Sequence, residues 1–178
     1  MATVAIADHR DCRSQLRFRF LLVPLLGISL LSSQAVAPAL TVVGEGGVEK
    51  SFTMAELKNL SQNEVGIVGE DSSRTVFRGP TLRSLMTLVG APAGHALRGP
   101  SMLLAVVAEA SDGYRVAFML AELDEQFGAR AAILALTQNG QLLPARDGPL
   151  RIVVPGEQHH ARWARQVIRL RLVRVGGP

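Results

Sequence analysis

The sequence predicts an α+β domain, a mixed or antiparallel sheet with short helices inserted. Three observations carry that expectation. The apolar stretches are short and bounded by Gly, Pro, Asn and Asp, as strands in hairpins are. Two stretches carry clear helix-start signals, and both are brief. No strand–helix–strand alternation of the doubly wound kind runs along the chain.

The elements follow in order. Residues 40–43 read as a strand, 44–47 (GEGG) as a turn and 48–52 as resumed extended chain. Thr53 and Glu56 have capping-box spacing, so a helix should run over residues 54–60. Residues 63–69 and 75–78 read as strands around a polar loop, EDSSR. Pro80 stands where a helix favours proline, at its first position, and Gly90 where a C-terminal cap is expected. Leu82, Leu85, Met86 and Val89 share the buried face of that helix. A Gly- and Pro-rich loop over 91–100 follows.

The continuous apolar run 102–110 marks a central strand, and 114–119 pairs back on it across Ser111, Asp112 and Gly113. A short acidic helix is expected over 121–126. Residues 131–137 and 141–143 should form a hairpin around Asn139-Gly140. Asp147, Gly148 and Pro149 turn into a strand at 150–154, and Pro155 and Gly156 turn out of it. One helical turn is expected over 161–166. The last strand, 167–175, should place Ile168, Leu170 and Leu172 on one face and Arg169 and Arg171 on the other.

The N-terminus reads as a separate unit. Arg10, Arg13, Arg17 and Arg19 precede an apolar run over 20–31, and Ser33 and Ala35 have small-x-small spacing. That order describes a secretory signal peptide cleaved after Ala35, with Ala37 as the alternative. The run is short for a membrane span. Arg17 and Arg19 are split by Phe18, so the leader is of the Sec type and not a twin-arginine signal. Residues 1–35 are thus the expected leader, residues 36–178 a single domain, and the destination the periplasm or the exterior. No membrane span should remain once the leader is removed.

Cysteine and charge narrow the chemistry. The only cysteine, Cys12, lies in the leader, which leaves the expected mature chain without disulfides, cysteine nucleophiles or thiolate metal ligands. Residues 36–128 carry 7 basic and 11 acidic residues, and residues 129–178 carry 8 and 2. A mature net charge near neutrality gives no case for nucleic acid as a partner. All eight basic residues of the C-terminal segment are arginine, the side chain suited to bidentate recognition of oxyanions.

Other motifs are mostly bland. Gly44, Gly46 and Gly47 lack the spacing and the βαβ setting of a nucleotide loop. No G-x-S-x-G occurs, and Asp124 with Glu125, or Glu70 with Asp71, read as solvated positions. His95 reads as solvent-facing. His159 and His160 are adjacent, unlike an i, i+4 zinc pair. They read as a solvated pair, or as part of a polar site shared with Arg151 or Trp163. Asp112 and Tyr114 read as turn residues, with a role at a cleft edge as the functional alternative. The candidate ligand-binding set is therefore Asp112, Tyr114, Arg146, Arg151, His159, His160 and Trp163, with no metal ligand and no assigned catalytic residue.

Four pieces in order, FTMAELKNLSQNEV, VFRGPTLRSLMTLVGA, VVAEASDGYRVAFMLAELD and ILALTQNGQLLPARDGPLRIVVPGE with WARQVIRLRL, resemble the molybdopterin-binding domain of the sulfite oxidase type. The resemblance covers most of the expected mature chain. It implies a pyranopterin dithiolene whose metal also takes a cysteine thiolate, from a position corresponding to residues 69–74. This chain has GEDSSR there, and the hydroxyls of Ser72 and Ser73 lack the soft anionic donor of a thiolate. The chain is also short for a full catalytic unit of that type. A Sec-type leader threads an unfolded chain, so a pterin loaded in the cytoplasm would not travel with it.

Two functions compete on this reading. One is an exported binding or interaction module that keeps the fold without cofactor. The other is a molybdopterin-dependent oxidoreductase with an unusual metal ligand set. A third has Arg146, Arg151 and Arg165 converging on a small anion. The expected ligand is a small anion or a pterin.

Overall fold

The computed structural model describes residues 37–69, 72–128 and 131–176. The expected leader and the pair Glu70 and Asp71 lie outside the described residues. The described residues fall in one compact unit, Ala35–Pro178.

The chain's first and last strands lie side by side. β1 (Leu40–Val43) pairs antiparallel with β2 (Glu49–Phe52) and, in parallel, with the C-terminal strand β11 (Val167–Arg174). β11 pairs antiparallel with β5 (Leu104–Ala110), and β5 with β6 (Arg115–Met119). The resulting mixed sheet has the order β2-β1-β11-β5-β6. A second, antiparallel sheet runs β3 (Asn63–Val68), β4 (Arg74–Gly79), β8 (Thr137–Gln138), β9 (Gln141–Leu142). β7 (Ile133–Ala135) pairs with β10 (Arg151–Val153). The α+β expectation holds.

β7 also docks on the end of β4. Leu134 N donates to Pro80 O at 2.8 Å and Leu136 N to Arg78 O at 2.9 Å. A Cβ on Gly79 would stand 1.9 Å from the Leu134 carbonyl oxygen, so only glycine lets the two backbones approach this closely.

Both helices start as side-chain chemistry dictates. α1 (Met54–Asn59) has the expected capping box: Glu56 N donates to Thr53 Oγ1, and Thr53 N donates to Glu56 Oε2 at 2.7 Å. α2 (Leu82–Thr87) corrects the expectation for Pro80. Thr81 is the cap, accepting from Ser84 N at 3.0 Å, and Pro80 stands before it with its carbonyl committed to Leu134. Gly90, at φ +82°, ends the helical segment as expected.

Further corrections follow the hydrogen bonds. The run 102–110 becomes strand only at Leu104, because Gly99–Leu103 forms a 3-10 helix. The helix expected over 121–126 is two 3-10 turns, Leu120–Leu123 and Glu125–Phe127, with Asp124 capping the second. The run 131–137 splits: β7 leaves to pair with β10, while β8 and β9 make the hairpin over Asn139 (φ 51°) and Gly140 (φ 77°). The turn expected over 161–166 is a 3-10 helix, His160–Arg162.

A register shift between Val167 and Arg169 turns Ile168 outward to 49% exposure, so Val167, Leu170 and Leu172 form the buried row of β11. The buried side chains of the sheets and both helices form one contiguous apolar core. Among the described residues no helix is long and apolar enough to cross a membrane.

Candidate functional site

Three distant segments meet at one end of the β5–β6 hairpin. Asp112 Oδ1 accepts from Tyr114 N at 2.9 Å, an Asx turn closed by Gly113 at φ +85°. That turn sets Tyr114 at the strand end, where its phenol donates to the Ala161 carbonyl at 2.7 Å. The hairpin is thereby tied to the His160–Arg162 turn. Gln166 adds a second tie, accepting from Ser111 Oγ at 2.8 Å while its amide donates to Ala145 O at 3.3 Å.

β10 brings Arg151 beneath this junction. Its guanidinium lies 5.5 Å from the Trp163 ring centroid and 5.8 Å from that of Phe77. Trp163, only 6% exposed, meets Phe77 edge-on at 6.1 Å, and His160 stacks on the indole at 3.8 Å. Asp112, Tyr114, Arg151, His160, Trp163 and Arg165 line one cleft of about 390 Å³. Five of the seven sequence candidates thus share a cavity.

The other two do not line it. His159 is exposed, and its neighbour His160 takes the position at the wall. Adjacent residues on a turning backbone point to different sides, and the His160–Arg162 turn selects the second. Arg146 extends into solvent with its Nε 3.6 Å from Asp147. His95 is exposed, as expected.

The arginine cluster has its own counter-ion. Arg151 Nη1 donates to Asp147 Oδ2 at 3.1 Å, and Arg165 Nη1 lies 3.7 Å from Asp147 Oδ1. The anion on which Arg146, Arg151 and Arg165 converge is therefore the chain's own carboxylate, 3% exposed. Burial pushes the Arg151 pKa below its usual value, and Arg165 and Arg146 push the same way against the pull of Asp147. Three cations against one carboxylate leave the cluster positive. Among the described residues, the buried Arg151 Nε and Trp163 Nε1 have no hydrogen-bond partner.

Asp147 and Gln166 were not among the sequence candidates. Asp147 reads as an ordinary turn residue beside Gly148 and Pro149. The available signal was its isolation: it is one of two acidic residues in 129–178, with Arg146 before it and Arg151 four residues on. Gln166, at φ 49°, carries no such signal.

His160 also borders a second cleft, of about 380 Å³, lined by Gly66–Gly69 and Gly156–Gln158. The β3–β4 turn at its edge is closed by backbone bonds, Gly69 N to Ser73 O at 2.8 Å and Ser72 N to Gly69 O at 3.0 Å. Among the described residues no three His, Cys, Asp or Glu side chains cluster as a metal site.

The fold is similar to that of the sulfane dehydrogenase SoxCD from Paracoccus pantotrophus, with a TM-score of 0.56 at 20% identity. The match covers 75% of this chain and 37% of that one, so this chain spans little more than a third of the solved protein. No curated protein matches the chain. The family model for the oxidoreductase molybdopterin binding domain matches residues 65–175, which include both clefts' walls and the Asp147 cluster. The chain belongs to the oxidoreductase molybdopterin-binding domain family.

Proposed function

We propose that the chain is an exported binding module that keeps the molybdopterin-domain fold without a resident metal and holds a small anion in the Tyr114–Arg151–Trp163 cleft. One observation carries the metal-free part: the donor set. A molybdenum held as the family resemblance implies needs a soft thiolate, and the chain's only cysteine is Cys12, far from the 65–175 match. In the segment where the resemblance implies that ligand, positions 72 and 73 are serines. The described residues do not fit a thiolate-held metal. The Sec-type leader pattern at residues 1–35 supports export and disfavours a pterin loaded before translocation.

The cleft itself suits an anion. Arg151 and Arg165, which Asp147 also contacts, supply charge and directional donors, His160 and Trp163 supply an aromatic wall, and Asp112 and Tyr114 stand at the hairpin end of the cleft. A molybdopterin-dependent oxidoreductase with a different ligand set is the competing reading, favoured by the family match.

The chain's single tryptophan makes the test direct. Titration with sulfate should change Trp163 fluorescence saturably. Arg165→Ala, at a largely exposed side chain, should weaken binding by about tenfold, the worth of one charge-assisted contact. A flat response, or equal affinity in the variant, would remove the anion reading.

A further inference from the structure

Another concave site shares no lining residue with either cleft described above. α1 and the β8–β9 hairpin with the following turn enclose an apolar groove of about 420 Å³. Met54, Leu142, Leu143, Ala145 and Pro149 form its walls. Leu142 is 65% exposed there, a large apolar side chain that the core does not cover. Gly148 keeps the floor open, since a Cβ would crowd Leu143 Cβ at 3.2 Å.

Lys58 lines this groove and also an adjoining pocket of about 290 Å³, with Arg78, Gln62 and Thr137. Lys58, an exposed residue, thus borders both spaces, and Arg78 adds a second cation to the smaller one. Among the described residues Arg78 has only a loose ion-pair partner, Glu64 at 3.9 Å, both more than half exposed, which leaves its charge little compensated. Gln62 is fixed by donating to the Leu57 and Leu60 carbonyls, each at 2.8 Å, which holds the pocket's shape.

We propose that this groove binds a small amphiphilic carboxylate, its apolar body along Met54, Leu142 and Leu143 and its head group at Lys58 and Arg78. Charge complementarity selects an anionic head, and the volumes are those of small-molecule sites. A peptide added as a further strand suits the place poorly. The edge strand β9 is two residues long, and Pro144, two residues beyond it, has no N–H to donate.

The test is calorimetric and NMR titration of the folded full chain with decanoate below its micellar concentration. One saturable equivalent is expected, with shifts confined to Met54, Lys58, Leu142, Leu143 and neighbours. Lys58→Glu, an exposed helix position whose fold circular dichroism would verify, should weaken binding by about tenfold. Decanol and decyltrimethylammonium should bind less well than decanoate. Shifts centred on Trp163, equal binding of decanol, an indifferent Lys58→Glu variant, or no saturation would each overturn the proposal. Trp163 fluorescence during sulfate titration reads the other site, so the two proposals fail separately.

Discussion

Asp147 combines two features that rarely coincide on a turn: near-complete burial and three arginines around one carboxylate. Arg151 is itself mostly buried, so removing its counter-ion leaves a charge without compensation. Asp147→Asn should therefore lower stability by roughly 3 kcal/mol in denaturant unfolding, at the low end for a broken buried pair because Arg165 and Arg146 are solvated. The same variant should bind sulfate more tightly, since the internal competitor is gone. Loss of stability with unchanged or weaker anion affinity would separate Asp147 from the site. Five cleft residues were legible as turn-edge, basic or aromatic residues flanking short strands. Their convergence was not, because it depends on β11 returning beside β1 and β5, a pairing that local pattern does not encode.

Individual elements behave most predictably where one side chain closes a backbone account. The capping box of α1 and the Asn139-Gly140 hairpin follow directly from sequence chemistry. Pro80 and Ile168 did not, because each is governed by a long-range partner: β7 claims the Pro80 carbonyl, and the shift against β5 turns Ile168 out. Gly79→Ala probes the first of these contacts. With backbone 1.9 Å from the added carbon, β4 and β7 must separate, and the variant should lose at least about 3 kcal/mol or fail to fold. Near wild-type stability would show that the strands can part at little cost.

Asp124 ties α2 to the loop after it. It accepts from Gly94 N at 3.0 Å, from Gln126 N at 3.1 Å and from Arg83 Nε at 3.0 Å, while Arg83 reaches Pro92 O at 2.7 Å. The Gly94 N–H is the main cause holding the Asp124 carboxyl below its usual range; burial opposes it, and Gln126 and Arg83 add to the lowering. A carboxyl depressed in the folded state contributes fully above its unfolded pKa, near 4 by the usual reference value, and loses that contribution as pH falls through the folded pKa. Asp124→Asn should be less stable than wild type at pH 7, by about 2–3 kcal/mol for an ion pair this sheltered. The gap should narrow on acidification below about pH 4. A gap independent of pH would mean that the charge contributes nothing.

At the scale of the whole molecule, the fold and the family agree while the donor chemistry does not. The order of elements is that of a molybdopterin-binding domain, matched over residues 65–175, and the α+β class was readable from hairpin spacing and short capped helices. A fold sets where a cleft opens, and its residues decide what the cleft holds. Here those residues supply arginines and a stacked His160–Trp163 pair, with serines in the segment where the resemblance places a thiolate. On the proposed reading the folded protein carries no molybdenum. Expression of the full chain with its own leader, purification of folded protein, and quantification of molybdenum by mass spectrometry and of pterin by fluorescence after oxidation test it most directly. Folded protein with neither molybdenum nor pterin is expected, and stoichiometric molybdenum with pterin would overturn the metal-free reading.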